Sequence, residues 1–116
     1  MKKAFAFDRD GTLEWGNPQG PITKEHLEKM RSLGYLIGGS GGQPSSDQSE
    51  RWREHRIEPD FTVHKENLPE IRAKFSELTH VGDTQDDVEW AKKAKANFMY
   101  PDEFIVWLEK QDNRNL

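Results

Sequence analysis

Five short apolar runs recur along the chain, and each stops abruptly at small, polar or charged residues. They are residues 2–7 (KKAFAF), 35–37 (YLI), 61–63 (FTV), 78–81 (LTHV) and 97–100 (NFMY). None is long enough for a helix, and Phe, Tyr, Ile and Val favour extended backbone. The stretches between them carry helical spacing instead. Thr23 reads as an N-cap ahead of Leu27, Met30 and Leu33, with Gly34 as the stop. Ser45, Ser46 and Asp47 offer caps for a helix through His55, anchored by Trp52. Leu68, Ile71 and Phe75 mark the next, with Pro69 tolerable in its first turn. Val88, Ala91 and Ala94 share one face of a helix capped near Thr84, and Phe104, Trp107 and Leu108 mark the last. Strands alternating with helices predict an α/β fold: a five-stranded parallel sheet with helices on both faces. Residues 1–110 are expected to form this domain, and residues 111–116 a frayed tail.

The stretch 36–48, LIGGSGGQPSSDQ, tests that reading, because Gly38-Gly39-Ser40-Gly41-Gly42 has the composition of a flexible linker. A tether there would leave an N-terminal piece near the lower limit, about 40 residues, at which a chain builds its own core. The alternative is a buried strand that ends at Ser40, with Gly41 and Gly42 freeing the backbone to approach a ligand.

Composition narrows the classes. The 116 residues are 33% hydrophobic and 33% charged, with mean hydropathy −1.00. The apolar residues are clustered, which argues against disorder. There are no cysteines, so a disulfide framework and cysteine-ligated zinc are excluded. No segment has the length of apolar chain needed to cross a membrane, and the apolar run at the N-terminus is too short for a signal peptide. A cytoplasmic location is the expectation. A net charge of −4 gives no general attraction to nucleic acid or anionic lipid.

In an open parallel sheet, ligands bind beyond the carboxyl ends of the strands. There the sequence places Asp8 and Asp10 after the first strand, Ser40 after the second, Lys65 after the third, and Asp83 and Asp87 after the fourth. Carboxylates suit Mg²⁺, which takes oxygen ligands together with substrate phosphate. A transferring phosphoryl group needs its charge neutralised by metal, Lys and N–H groups. The four strand ends hold these parts, and Ser40 then belongs to a phosphate cradle and not to a linker.

The motifs Phe7-Asp8-Arg9-Asp10-Gly11-Thr12-Leu13 and Val81-Gly82-Asp83-Thr84-Gln85-Asp86-Asp87, with Ser40 and Lys65 in order between them, resemble those of the haloacid dehalogenase superfamily of phosphohydrolases. The resemblance spans essentially the whole chain. It implies a Rossmann-like domain of that type, without a cap domain, since the segments between motifs are too short to hold one. It implies a Mg²⁺-dependent phosphatase in which Asp8 forms an aspartyl-phosphate and Asp10 serves as general acid and base. Asp83, Asp8 and the Asp10 carbonyl would hold the metal, with Asp87 supporting the metal or Lys65. Ser40, Gly41, Lys65, Gly11 and Thr12 would surround the phosphoryl group. The expected substrate is a small phosphorylated metabolite. A polynucleotide end and a non-catalytic phosphate- or partner-binding module are the alternatives.

Several residues near these motifs have a plainer reading. Asp86 suits the start of a helix, where the dipole favours an acid. Lys74 is a poor substitute for Lys65, since it sits inside a helix. His64 and His80 read as strand-end or core histidines. Trp15 either stacks on a substrate or fills the core. Arg51, Arg53 and Arg56 interleave with Asp47, Glu50, Glu54 and Glu58, the pattern of a solvated helix face and not of a nucleic-acid patch. Four tryptophans in so small a domain are expected to crowd one core, which favours a homo-oligomer.

Overall fold

In a computed structural model, residues 2–114 are described, with side chains through Gln111. The five strands are β1 (Lys3–Phe7), β2 (Leu36–Gly39), β3 (Phe61–Thr62), β4 (Glu77–Val81) and β5 (Asn97–Met99). The helices are α1 (Lys24–Ser32), α2 (Ser45–Glu54), α3 (Leu68–Ile71), α4 (Gln85–Ala94) and α5 (Pro101–Arg114). The sheet is parallel throughout, in the order β3-β2-β1-β4-β5, so β1 lies at its centre. This is the expected α/β domain of Rossmann-like type.

The period-two pattern of β1 divides the interior into two layers. Phe5 and Phe7 point to one face, where they meet Leu27 and Met30 of α1, Trp52 of α2, and Phe104 and Leu108 of α5. Ala4 and Ala6 point to the other, against Leu68 and Ile71 of α3 and Ala94 of α4. The large and the small side chains of one strand thus serve helices on opposite sides. The four tryptophans are shared out the same way. Trp15 and Trp52 are buried in the first layer, Trp107 packs on its edge, and Trp90 packs on the second. All four thus pack within the described fold, three of them in the first layer.

The glycine stretch is a strand and not a tether. Gly38 and Gly39 pair in register with Phe61 and Thr62 of β3, and with Ala6 and Phe7 of β1. A Cβ at Gly38 would lie 2.2 Å from the Phe61 carbonyl oxygen. The neighbouring strand, not flexibility, requires glycine there.

Three boundaries differ from the sequence expectation. α2 begins after Pro44 with no side-chain cap, because the Ser45 hydroxyl turns away to the Thr62 carbonyl oxygen at 2.7 Å. The helix expected over Leu68–Phe75 is a single α-turn between 3₁₀ turns at Lys65–Asn67 and Arg72–Lys74. α5 continues past Gln111 to Arg114, where fraying was expected, and residues 115–116 of that tail lie outside the described residues. Among the described residues, no helix is long and apolar enough to cross a membrane.

Candidate active site

The register of the sheet decides what meets at its carboxyl edge. Phe7 pairs with Gly39 and Val81, Gly39 with Thr62, and Val81 with Met99, so the strands end level. The next residues are tied to the same edge, Asp8 N–H to the Val81 carbonyl and Ser40 N–H to that of Phe7, each at 2.9 Å. Lys65 N–H donates to the Gly41 carbonyl at 2.9 Å. After Asp10 the chain turns at Gly11, whose φ of +73° suits glycine. A Cβ there would also lie 1.9 Å from Asp83 Oδ2. Gly11 is thus the surface against which Asp83 rests.

Oxygen atoms of Asp8, Asp83 and Asp87 lie within 4.8 Å of one another. Asp8 and Asp87 are buried, whereas Asp83 is exposed. Burial, with Asp87 nearby, raises the Asp8 carboxyl from 3.8 to about 7 despite the Lys65 ammonium. Such a set of hard oxygen donors, short of positive charge, fits a Mg²⁺ ion.

Asp87 has its own partners. Oδ1 accepts from His80 Nε2 at 2.8 Å and from Lys65 Nζ at 3.2 Å. Oδ2 accepts from the Thr84 N–H at 3.1 Å and the Thr84 hydroxyl at 2.8 Å. These four bonds fill the acceptor positions of a carboxylate. Burial raises its carboxyl, but the His80, Thr84 and Lys65 contacts outweigh this and hold it below the ordinary range. Of the two roles expected of Asp87, the geometry shows support of Lys65, and its carboxylate also belongs to the group of three that could hold a metal ion. Lys65 also approaches Asp86 at 3.5 Å, so Asp86 is more than an N-terminal helix charge. Burial pushes the Lys65 ammonium down, yet Asp8 and Asp87 together raise it above its usual value.

His80 is fully buried and is the residue that sequence reading undervalued. Its ring bridges Asp87 and Ser40, with Nδ1 at 2.8 Å from the Ser40 hydroxyl. Since the Asp87 carboxylate only accepts, Nε2 carries the proton of that bond. The expected phosphate donor Ser40 is fully buried, with its hydroxyl in contact with the His80 ring. Gly41 N–H donates to Gln48 Oε1 at 3.0 Å, and Gly11 N–H to the Pro18 carbonyl at 2.7 Å. Thr12 is wholly enclosed, its main chain bonded to Arg9 and Ile22. Of the five residues expected around a phosphoryl group, the structure brings the Lys65 ammonium to the carboxylates. The other four build the walls.

Asp10 stands apart from the three converging carboxylates. Arg9 Nε donates to its Oδ1 at 2.9 Å, and so does the Asn17 N–H at 2.9 Å. Burial is the largest single influence and raises its carboxyl, but the Arg9 and Asn17 bonds, with the charges of Arg9 and Lys65, together outweigh it and hold it below the ordinary range. Trp15 is core and not a substrate platform: it meets Trp52 edge-on and stacks on His55 at 4.5 Å. His64 caps the 3₁₀ turn at Glu66. Arg51 and Arg53 pair with Glu54 and Glu58, the solvated helix face expected. Beside Asp83, a hollow of about 370 Å³ opens between Gly11, Pro21, Tyr100, Pro101 and Asp102. In comparisons with known proteins, no family model matches the chain and no curated protein matches it.

Proposed function

We propose that the chain is a Mg²⁺-dependent phosphohydrolase of the haloacid dehalogenase type, acting on a small phosphorylated metabolite. The observation that carries this reading is the buried Asp8 carboxylate at the end of β1. It lies within reach of the exposed Asp83 and beside an ammonium that Asp87 fixes. A carboxylate so placed is short of water, which favours attack on an electrophile over solvation.

In the first step an Asp8 oxygen attacks phosphorus and the bond to the leaving oxygen breaks. That oxygen takes a proton from Asp10. In the second, water attacks the aspartyl-phosphate, Asp10 accepts its proton, and the Asp8 carboxylate returns as inorganic phosphate leaves. Asp8, Asp83 and the Asp10 main-chain oxygen would hold Mg²⁺, which when bound neutralises charge on the phosphoryl oxygens. The Lys65 ammonium has a third N–H beyond those facing Asp86 and Asp87, and this serves the phosphoryl group. The hollow beside Asp83 suits a leaving group of metabolite size. Its acidic rim, Asp83 and Asp102, disfavours a polynucleotide end.

The Arg9 and Asn17 bonds favour the ionised form of Asp10, which is the base of the second step, so the protonated form that acts in the first step is the minor one in the resting protein. The reading is tested with an aryl phosphate: hydrolysis with Mg²⁺, its loss in EDTA, and a mass gain of one phosphoryl group on Asp8 after rapid quench. A non-catalytic binding module would bind phosphate and show neither hydrolysis nor the mass gain.

A further inference from the structure

The Ser40 hydroxyl faces His80 and the Gly41 N–H faces Gln48. Beside them is a polar group with no such engagement. Gln43 Oε1 is buried and has no hydrogen-bond partner among the described residues. It lies over Gly41: a Cβ at that glycine would be 2.5 Å from Gln43 Oε1, 3.2 Å from Asp8 Oδ1 and 3.5 Å from the Arg9 nitrogen. The amide and the Asp8 carboxylate therefore crowd the same side of Gly41, where any side chain would stand.

The backbone under this amide is fixed. Gln48 Nε2 donates to the Gln43 carbonyl at 2.8 Å and to the Val63 carbonyl at 2.9 Å, clamping the loop between β2 and α2 to the end of β3. The buried Gln48 gives the loop its shape, and Gln43 presents the free carboxamide. Two acceptor oxygens on one small space are mismatched. A half-turn of the amide brings Nε2, with two donors, to the same point. An anion transferred to Asp8 is the partner that would favour that turn.

We propose that Gln43 is a substrate contact whose carboxamide donates to a non-bridging oxygen of the phosphoryl group on Asp8. This rests on the reading of Asp8 as nucleophile. It makes Gly41 a requirement of space, because a side chain there would displace the amide.

The test is calorimetric binding of inorganic phosphate in the presence of Mg²⁺, with steady-state hydrolysis of an aryl phosphate alongside. Gln43→Ala should weaken phosphate about tenfold, the size of one hydrogen bond to a charged group. Gln43→Glu keeps the length but offers only charged acceptors, and should weaken it about a hundredfold. In both variants KM should rise with the phosphate dissociation constant, while the melting temperature stays near that of the parent, since Gln48 holds only the main chain of residue 43. If the parent binds phosphate and both variants bind it equally well, the contact is overturned and the nucleophile reading stands. A parent that neither binds phosphate nor hydrolyses the ester overturns that reading, and this contact with it.

Discussion

Asp8 and Asp10 sit two residues apart, yet their surroundings pull them in opposite directions. Asp8 is 7% exposed and raised by burial, whereas Asp10 is held down by Arg9 and Asn17. Their substitutions should separate accordingly. Asp8→Asn should abolish hydrolysis, because an amide does not attack phosphorus, while the nearly isosteric change leaves the fold intact. Asp10→Asn removes only proton transfer, worth about 10² to 10⁴ in rate. Its loss should be smaller on nitrophenyl phosphate, whose leaving group needs little protonation. Phosphoenzyme should then accumulate in Asp10→Asn and be absent from Asp8→Asn. An Asp8→Asn protein as active as the parent would remove Asp8 as nucleophile. His80 invites a second substitution. His80→Phe keeps an aromatic ring of similar size but strips a partner from both Ser40 and Asp87 inside the protein. Leaving buried polar groups unpaired costs about 1–3 kcal/mol each. Denaturant unfolding should show a loss of roughly 3 kcal/mol; a change below about 0.5 kcal/mol would mean that the bridge is not formed.

At the scale of elements, the site depends on how α4 starts. Thr84 and Asp87 form a reciprocal capping box, and the same Asp87 carboxylate carries Lys65. Thr84→Ala should therefore destabilise the fold by about 1 kcal/mol and also weaken phosphate binding, since Asp87 loses a hydroxyl donor. Equal phosphate binding in parent and variant would separate the cap from the site. The cap near Thr84 was legible in the sequence, though not its reciprocal bond with Asp87, as were the sheet, the helices on both faces and the carboxylates at the strand ends. Each of those is written locally, in the period of the apolar residues or in the residue that follows a strand. What was not legible depends on distant partners. Ser45 reads as a cap, but Thr62 of β3 captures its hydroxyl. His80 reads as an ordinary core residue, because nothing within β4 shows that Ser40 and Asp87 will close on its two nitrogens. Ser40 and Gly41 were assigned to the phosphate on their position at a strand end and on the resemblance, and their contacts come from β4 and α2. Gln43 and Gln48 sit in a polar loop without local pattern. The sequence signal that could have found them is modest: two amides flanking a turn after a glycine-rich strand end.

For the whole molecule, the site is an electrostatic load on folding. Three carboxylates converge on one side of the sheet, and in the absence of a cation one of them responds by keeping its proton. Asp8 ionises near 3.8 in the unfolded chain and near 7 in the folded one. Between those values the unfolded chain binds fewer protons, so stability contributed by this group falls as pH rises from about 4 to about 7. The shift of about three units corresponds to roughly 4 kcal/mol at most. Above pH 7 both states are ionised and the penalty is constant. Asp87 acts with the opposite sign. Its depressed carboxyl contributes stability that is present above its unfolded value and is lost as pH falls through acid. The metal-free protein should therefore be most stable in mild acid and melt at lower temperature at pH 8 than at pH 5. On the proposed function, Mg²⁺ would bind the ionised carboxylates of the folded state alone, so it should raise the melting temperature more at pH 8 than at pH 5. Asp8→Asn removes the load and a ligand together. It should melt higher than the parent at pH 8 without metal, lose the fall between pH 5 and 8, and respond little to Mg²⁺. Scanning calorimetry on both proteins at the two pH values, with EDTA and with Mg²⁺, measures all of these. A parent that gains stability from pH 5 to 8 in EDTA, or an Asp8→Asn protein with the full Mg²⁺ response, would show that Asp8 is not the carboxylate that the cation neutralises.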